Sequence, residues 1–490
     1  MSSEGTRREF PNDSMSNYSS SMRELKHFIG GRFFAAGNGH LDSINPSKPS
    51  EVVGRMPIGS QVEIDLAVEE AAIAQEQWRR QTGPARSAIL HAWGDAIAKR
   101  QEDLANAIVA EVGKPIGESR GEVQRCVAIL RYYAGESVRP NGEVVPSLTP
   151  GVLQYSLLQP LGVVGLITPW NFPMAIPLWK AAPALSMGNA VVLKPSEHSP
   201  WCAQLLAETA LEAGVGNSLQ VVFGDGETGR RLVSDSRIDA ISFTGSGRAG
   251  NIIATACATQ NKKFQTEMGG KNVAIVLADA DLAKAANLVA GGAMRFAGQK
   301  CTATSRVIVD ASIRGKFVDE LKKACEALPI GCPSESSTAI GPVISSDAQT
   351  RIEDATKAGE SLYVGSRPDE GFYVAPTVVG GVDESHSLSQ DEIFGPVLTL
   401  LEADSFERAI QIANRTKYGL SASLCTRDIS SALKYIDQIQ AGMVRVNADT
   451  TGVDPHAPFG GYKGSSSGTR EQGQVAKDFY TQIKTVQINP

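Results

Sequence analysis

Apolar residues recur at helical spacing over Val62–Arg80, over Pro84–Val112 and over Gly117–Tyr133, with Gly113-Lys114-Pro115 as a stop signal between the last two. The first third of the chain is therefore predicted to be mostly helical. Ordered structure is expected to begin near Lys26, in a short strand and turn. The pattern then changes. Short apolar runs at Gly162–Thr168, Ala190–Lys194, Leu219–Phe223, Ala240–Phe243 and Asn272–Leu277 read as strands. Helical stretches such as Trp201–Glu212 and Gly229–Val233 separate them. Strand–helix–strand spacing of this kind predicts a parallel sheet, and strands apolar on both faces predict a covered one. A second set follows: strands at Arg306–Asp310, Val397–Leu401, Ser421–Thr426 and Met443–Val446, helices at Ala311–Ala327, Ser405–Arg415 and Ser430–Ile439. The expected fold class is α/β with two such domains. The closing run Tyr480–Ile488 alternates polar and apolar residues and needs a sheet edge. An edge in the same subunit and one in a neighbour are both open.

A length of 490 residues exceeds one ordinary core. Hydrophobic residues at 42% and charged residues at 20% exclude a fibrous or largely disordered chain. The net charge of −6 argues against binding nucleic acid through overall charge. Residues 1–22 are polar and Ser/Asn-rich, which predicts a disordered tail without the apolar core of a secretory signal. Val144–Trp179 carries no charge but holds six prolines (146, 150, 160, 169, 173 and 177). It is predicted to be buried strand and loop, not a membrane span. The expected compartment is cytoplasmic. Seven cysteines without CxxC or Cys/His clusters point to reduced thiols and to no metal site.

Three turns fall where parallel strands end. Gly224, Gly226 and Gly229 have GxGxxG spacing between a strand and a helix, but the acid expected at the end of the next strand is missing. Phe243-Thr244-Gly245-Ser246 closes the next strand. Lys194-Pro195-Ser196-Glu197 closes an earlier one. A nucleotide site and plain tight turns are both open for each, and their adjacency favours the nucleotide. Among the cysteines, Cys301 stands out. It follows a glycine turn in FAGQKCTA, and a helix entry there would lower its pKa. Asn171, between Pro169 and Pro173, suits an oxyanion donor. Glu267, beside Met268-Gly269-Gly270, suits a general base of raised pKa.

The motifs TPWNFP (168–173), KPSE (194–197), FTGS (243–246), EMGGK (267–271), GQKCTA (298–303), EIFGP (392–396) and PFGG (458–461) occur together and in order. From about His27 onward the chain resembles the aldehyde dehydrogenase superfamily. The resemblance implies a Rossmann-like cofactor domain, an α/β catalytic domain and a small β oligomerisation flap. The implied boundaries are 23–145 and 160–268 for the first, 269–465 for the second, and 146–159 with 466–490 for the third. It implies a homodimer or homotetramer, and a closing strand that pairs between subunits. It also implies NAD-dependent oxidation of an aldehyde to a carboxylate. Cys301 would form a thiohemiacetal and then a thioester, Asn171 would hold the oxyanion, Glu267 would activate water, and Lys180 would help proton transfer. Lys194 and Glu197, with Ser196, would hold the adenosine ribose. Trp170 and Ser246 would line the pyrophosphate path, and Ile167, Thr168, Pro169, Phe243, Thr244 and Gly245 would also bind the cofactor. Glu392 and Phe394, with Met268 and Gly269, would hold the nicotinamide ribose. Gly226 and Gly229 become a turn near the cofactor. Glu197 favours NAD, since a carboxylate there repels a 2′-phosphate, although NADP stays possible.

Local strings such as WNFPMAIPLWKAAPAL and GQKCTATSR resemble the 2-oxoglutarate semialdehyde dehydrogenase branch. The implied substrate is a short anionic semialdehyde, anchored by Arg295 or His456; the alternative is that both are surface residues and that the pocket, with Phe172, Trp179, Phe296 and Phe459, accepts apolar or aromatic aldehydes. The segment Asn447–His456 departs from the branch pattern. Succinate semialdehyde, phosphono- or sulfo-aldehydes, and aliphatic or aromatic aldehydes are the alternatives. Transfer of the thioester to coenzyme A and a non-catalytic structural role are weaker ones, because Glu267, Cys301 and Asn171 are all present.

Overall fold

A computed structural model describes residues 22–490. The expected tail lies, but for Met22, outside the described residues. One sheet has eight strands in the order Ser466–Ser467, Lys263–Glu267, Ala240–Thr244, Val163–Ile167, Ala190–Lys194, Leu219–Val221, His27–Ile29 and Arg32–Phe34. Its five central strands are parallel and its flanking strands antiparallel. Both faces are covered. Val191 and Leu193 join one core with Trp93 and Tyr133, while Val192 joins another with Ile64 and Ile241. That is the period-two alternation of a strand buried on both sides.

A second sheet of seven strands runs Glu360–Val364, Thr377–Gly380, Val397–Ala403, Thr304–Asp310, Asn272–Val276, Ser421–Cys425 and Met443–Val446. All its pairings are parallel except that of the first edge strand. The two sheets meet across four residues. Glu267 ends a strand of the first, and Asn272 begins a strand of the second. Met268-Gly269-Gly270-Lys271 is the crossing.

The remaining small sheet joins Thr481–Ile488 to Leu153–Pro160, with Val144–Val145 beyond. The closing strand pairs along its whole length within its own chain; its outer edge has no partner strand among the described residues and stays open to the expected pairing between subunits. Residues 466–480, expected in this flap, pack elsewhere. Ser466 and Ser467 extend the first sheet against Glu267 and Thr266, and the short helix Ala476–Tyr480 is buried against the main core.

Two other expectations change. Pro84–Val112 is two helices, Gly83–Lys99 and Gln101–Val112, broken at Arg100, whose φ of −105° and ψ of 23° leave the helical region. The prolines after Met174 do not keep the chain in loop: Ala175–Ser186 is a helix buried on every side. Pro177 falls in its first turn, where a missing N–H costs nothing. At its far end the carbonyls of Leu185 and Ser186 accept from Trp78 and Arg86, at 2.8 and 2.9 Å.

Candidate active site

The parallel strands of the first sheet end together, with Ile167 beside Lys194 and Thr244 beside Glu267. A continuous trough lies over these ends. Its outer part, about 540 Å³, is lined by Ile167, Thr168, Lys194, Ser196, Glu197 and Phe243, and by Gly226 and Gly229. Its inner part, about 490 Å³, is lined by Met268, Gly269, Glu392 and Phe394, and reaches Asn171 and Cys301. Pro169, Trp170, Thr244, Gly245 and Ser246 belong to both.

Local chemistry sets the two ends of the trough. In the outer part the Lys194 ammonium lies 3.5 Å from the Glu197 carboxylate. Burial works against the charge of Glu197, but Lys194 holds its pKa below the usual value. Asp225 caps the helix Gly226–Ser234 by accepting from the amides of Glu227 and Thr228. That carboxylate occupies the donors an anion would need, so the GxGxxG turn is no phosphate cradle. The longer helix Gly247–Thr259 opens onto the trough instead, with Ser246 as its cap. In the inner part Glu392 accepts from the amide of Gly270 at 3.0 Å. A side chain at Gly269 would place its Cβ 2.1 Å from the Glu392 carboxylate, so this approach requires glycine.

Cys301 does not enter a helix. A turn carries it into the strand Thr304–Asp310, and the residue is partly buried at the inner end of the trough. Burial pushes its pKa up to about 12, and the charges of Glu392 and Glu267 add to the shift. The expected dipole activation is therefore absent, and the thiol is protonated near neutral pH. The turn before it is strained: Phe296 and Ala297 have φ of 54° and 52°.

Asn171 is buried, and its side-chain nitrogen donates to the Gln299 carbonyl at 3.0 Å. An amide nitrogen has two hydrogens, so a second donor remains. Glu267 accepts from the Ser466 hydroxyl at 2.6 Å, and its other oxygen is buried without a partner among the described residues. Burial, and then the charge of Glu471, push its pKa well above the ordinary carboxylate range.

Several of these neighbours were not legible locally. Glu471 forms a buried ion pair with Lys180 and accepts from Trp179 Nε1 at 2.7 Å. Lys114 and Glu122 form a second, fully buried pair. Lys114 donates to the Asn171 carbonyl at 2.6 Å, and Glu122 accepts from the amides of Met174 and Ala175 at 3.0 and 3.1 Å. The pair thus grips the loop that carries Asn171 at Asn171 itself and at its far end.

The residues expected to hold substrate divide. Phe172 and Phe296 meet edge to face at 6.5 Å, and Trp179 lies 5.3 Å from Phe459. Phe459 packs in the small cluster that Cys301 joins. None of the four lines the trough. Arg295 and His456, the expected anion anchors, are exposed, and neither lines the trough. His456 leans toward Asp454 at 4.0 Å with its side chain 67% accessible. Both are corrected to surface residues.

A trough over parallel strand ends, closed by a cysteine, an amide and a shielded carboxylate, matches a known family. Residues 33–486 match the model of the aldehyde dehydrogenase family. The chain belongs to it. It is 43% identical to an alpha-ketoglutaric semialdehyde dehydrogenase of Bacillus subtilis, over 95% of this chain and 98% of that protein. It is 38% identical to an alpha-ketoglutarate semialdehyde dehydrogenase of Haloferax volcanii, over 94% and 98%. The structure of an NAD-dependent aldehyde dehydrogenase from Sinorhizobium meliloti superposes with a TM-score of 0.93 at 36% identity, covering 96% of this chain and 95% of that one. This aldehyde dehydrogenase thus has the fold, and is an oxidoreductase with the NAD(P) cofactor, of its family. Among the described residues no helix is long and apolar enough to cross a membrane.

Proposed function

We propose that the protein oxidises a short anionic semialdehyde, such as 2-oxoglutarate semialdehyde, to the carboxylate through a thioester on Cys301, with NAD preferred. The observation that carries this reading is that Cys301 and Asn171 line the inner end of the trough together, with buried Glu267 near enough for its charge to act on the thiol. The semialdehyde is supported by the kinship with the two semialdehyde dehydrogenases above.

The trough fits the cofactor. The hydroxyls of Thr168 and Thr244 line it, buried and without partners among the described residues, as the wall of a polar ligand's site. Lys194 and Glu197 would hold the ribose far from the reaction, and Glu392 the ribose near it. Ser246 and the helix it caps would face the pyrophosphate. When bound, NAD supplies an acceptor for the hydride that leaves the aldehyde carbon.

The chain's own groups do the rest. Ionised Glu267 takes the thiol proton, and the Cys301 sulfur adds to the carbonyl carbon. The spare N–H of Asn171 donates to the oxyanion of the thiohemiacetal. Loss of hydride leaves a thioester on the sulfur. Glu267 then takes a proton from water, whose oxygen displaces the sulfur, and Asn171 again holds the oxyanion. The Lys180–Glu471 pair neighbours this base and gives its proton a charged group to pass toward. A cytoplasmic homo-oligomer belongs to the same reading. Seven unpaired cysteines suit a reducing compartment. Exposed Val144, Leu148, Leu153 and Ile483 on the flap suit an interface.

The test is reduced-cofactor formation over a panel of anionic, aliphatic and aromatic aldehydes, with NAD and with NADP. Selectivity for an anionic semialdehyde with NAD is expected. A profile led by apolar or aromatic aldehydes would favour the reading suggested by the Phe172, Trp179, Phe296 and Phe459 wall, and would discard the semialdehyde.

A further inference from the structure

We propose that Arg125 is the cationic anchor for the distal carboxylate of the substrate, and that Gln472 positions it. The proposal rests on the semialdehyde reading above and names the residue that reading lacks.

The helix Ile116–Glu136 sets Arg125 half-buried. Its guanidinium donates to Gln472 Oε1 at 2.9 Å and lies 5.9 Å from the centre of the Trp179 ring. Trp179 packs on Phe459, and Phe459 on Cys301. A chain of contacts therefore leads from the cation to the nucleophile, along an aromatic wall that lies outside the cofactor trough. The guanidinium is near enough to the sulfur for a thiolate there to favour its charge.

The charge of Arg125 is uncompensated in a way its neighbours' charges are not. Among the described residues no carboxylate forms an ion pair with it, and its partner Gln472 is neutral. Glu122, one turn away, is taken by Lys114 and two backbone amides. Asp454 acts on Arg125 only at longer range, and its side chain is 78% exposed. A half-buried cation without an acid is costly unless a ligand supplies one. A guanidinium fork also matches a carboxylate better than an ammonium does.

The other cations near the site are engaged or lie elsewhere: Lys300 is paired with Glu118 at 2.7 Å, and Arg351 lines the cofactor trough and donates to the Ile393 carbonyl. Lys114 and Lys180 are consumed in buried ion pairs. Arg295 and His456 are exposed. Arg470 lies against Gly460, and its charge acts on Glu267.

The purely structural alternative is that Arg125 only ties its helix to the loop at Gln472. The experiment that separates them is steady-state kinetics of the full-length enzyme, wild type, Arg125→Met and Arg125→Lys. The substrates are 2-oxoglutarate semialdehyde and neutral pentanal, each with saturating NAD. The expected result is a fall of about 10- to 100-fold in the ratio of kcat/KM for the anionic over the neutral aldehyde in Arg125→Met, mostly through KM. Arg125→Lys recovers part of that ratio. A structural role lowers both substrates alike and leaves the ratio unchanged, which overturns the assignment even if the variant is destabilised. A wild-type ratio near one overturns the semialdehyde reading itself. A high wild-type ratio retained in Arg125→Met overturns Arg125 alone.

Discussion

Lys114 donates its ammonium proton to the backbone oxygen of Asn171, 2.6 Å away, from inside a fully buried ion pair with Glu122. The residue proposed as oxyanion donor is thus held at its backbone by a charge more than fifty residues earlier in the chain. Lys114→Met leaves Glu122 buried and uncompensated, which costs roughly 3–5 kcal/mol of stability. It also frees the Asn171 loop. The expected outcome in kinetics is a kcat lowered by at least about tenfold with KM for NAD little changed. Adding Glu122→Gln to Lys114→Met should recover part of the stability in a denaturation experiment, but not the lost kcat.

On the proposed mechanism two groups must ionise, and burial pushes both the wrong way: the Cys301 thiol up to about 12, and Glu267 well above its ordinary value. Both work deprotonated, so kcat/KM should rise as pH rises from neutrality. Two variants should move that limb in opposite directions. Ser466→Ala removes the hydrogen bond that favours the Glu267 carboxylate, so the limb shifts to higher pH by up to about one unit. Glu471→Gln removes the like charge facing Glu267, so the limb shifts to lower pH. A pH–rate profile that both variants leave in place would remove Glu267 from the base role.

Glu197 stands in the outer trough, 3.5 Å from Lys194. A carboxylate there accepts from a ribose hydroxyl and repels a phosphate. Glu197→Gln should lower the ratio of kcat/KM for NAD over that for NADP by at least about tenfold. Initial rates with each cofactor check this, and an unchanged ratio would place the discriminating group elsewhere.

The sheets were legible in the sequence because covered parallel strands are short, apolar runs between helical stretches, as at Ala190–Lys194 and Asn272–Val276. The helix Ala175–Ser186 was not, because it is buried on every side and so has no periodicity, and its prolines point to loop. Arg100 carries no local signal for the helix break it makes. At the site, Cys301, Asn171 and Glu267 were legible as residue types in glycine- and proline-shaped turns. The surroundings that tune them were not. Glu471 sits in Thr-Arg-Glu-Gln-Gly, which reads as surface, and only the tertiary fold brings it to Lys180 and Trp179. Cys301 precedes the β-branched run that becomes Thr304–Asp310, and that run was the available sign against a helix entry.

The central claim is that oxidation leaves an acyl group on the Cys301 sulfur and that Glu267 is needed to release it. The direct measurement is intact and peptide mass after acid quench of Glu267→Gln mixed with NAD and the semialdehyde. The account predicts reduced cofactor that stops near one equivalent per active site, formed more slowly than in the wild type because Glu267 also takes the thiol proton. It also predicts an acyl adduct on the peptide that contains Cys301, absent when Cys301→Ala is added. Steady turnover without any adduct, or an adduct that persists in Cys301→Ala, would contradict it.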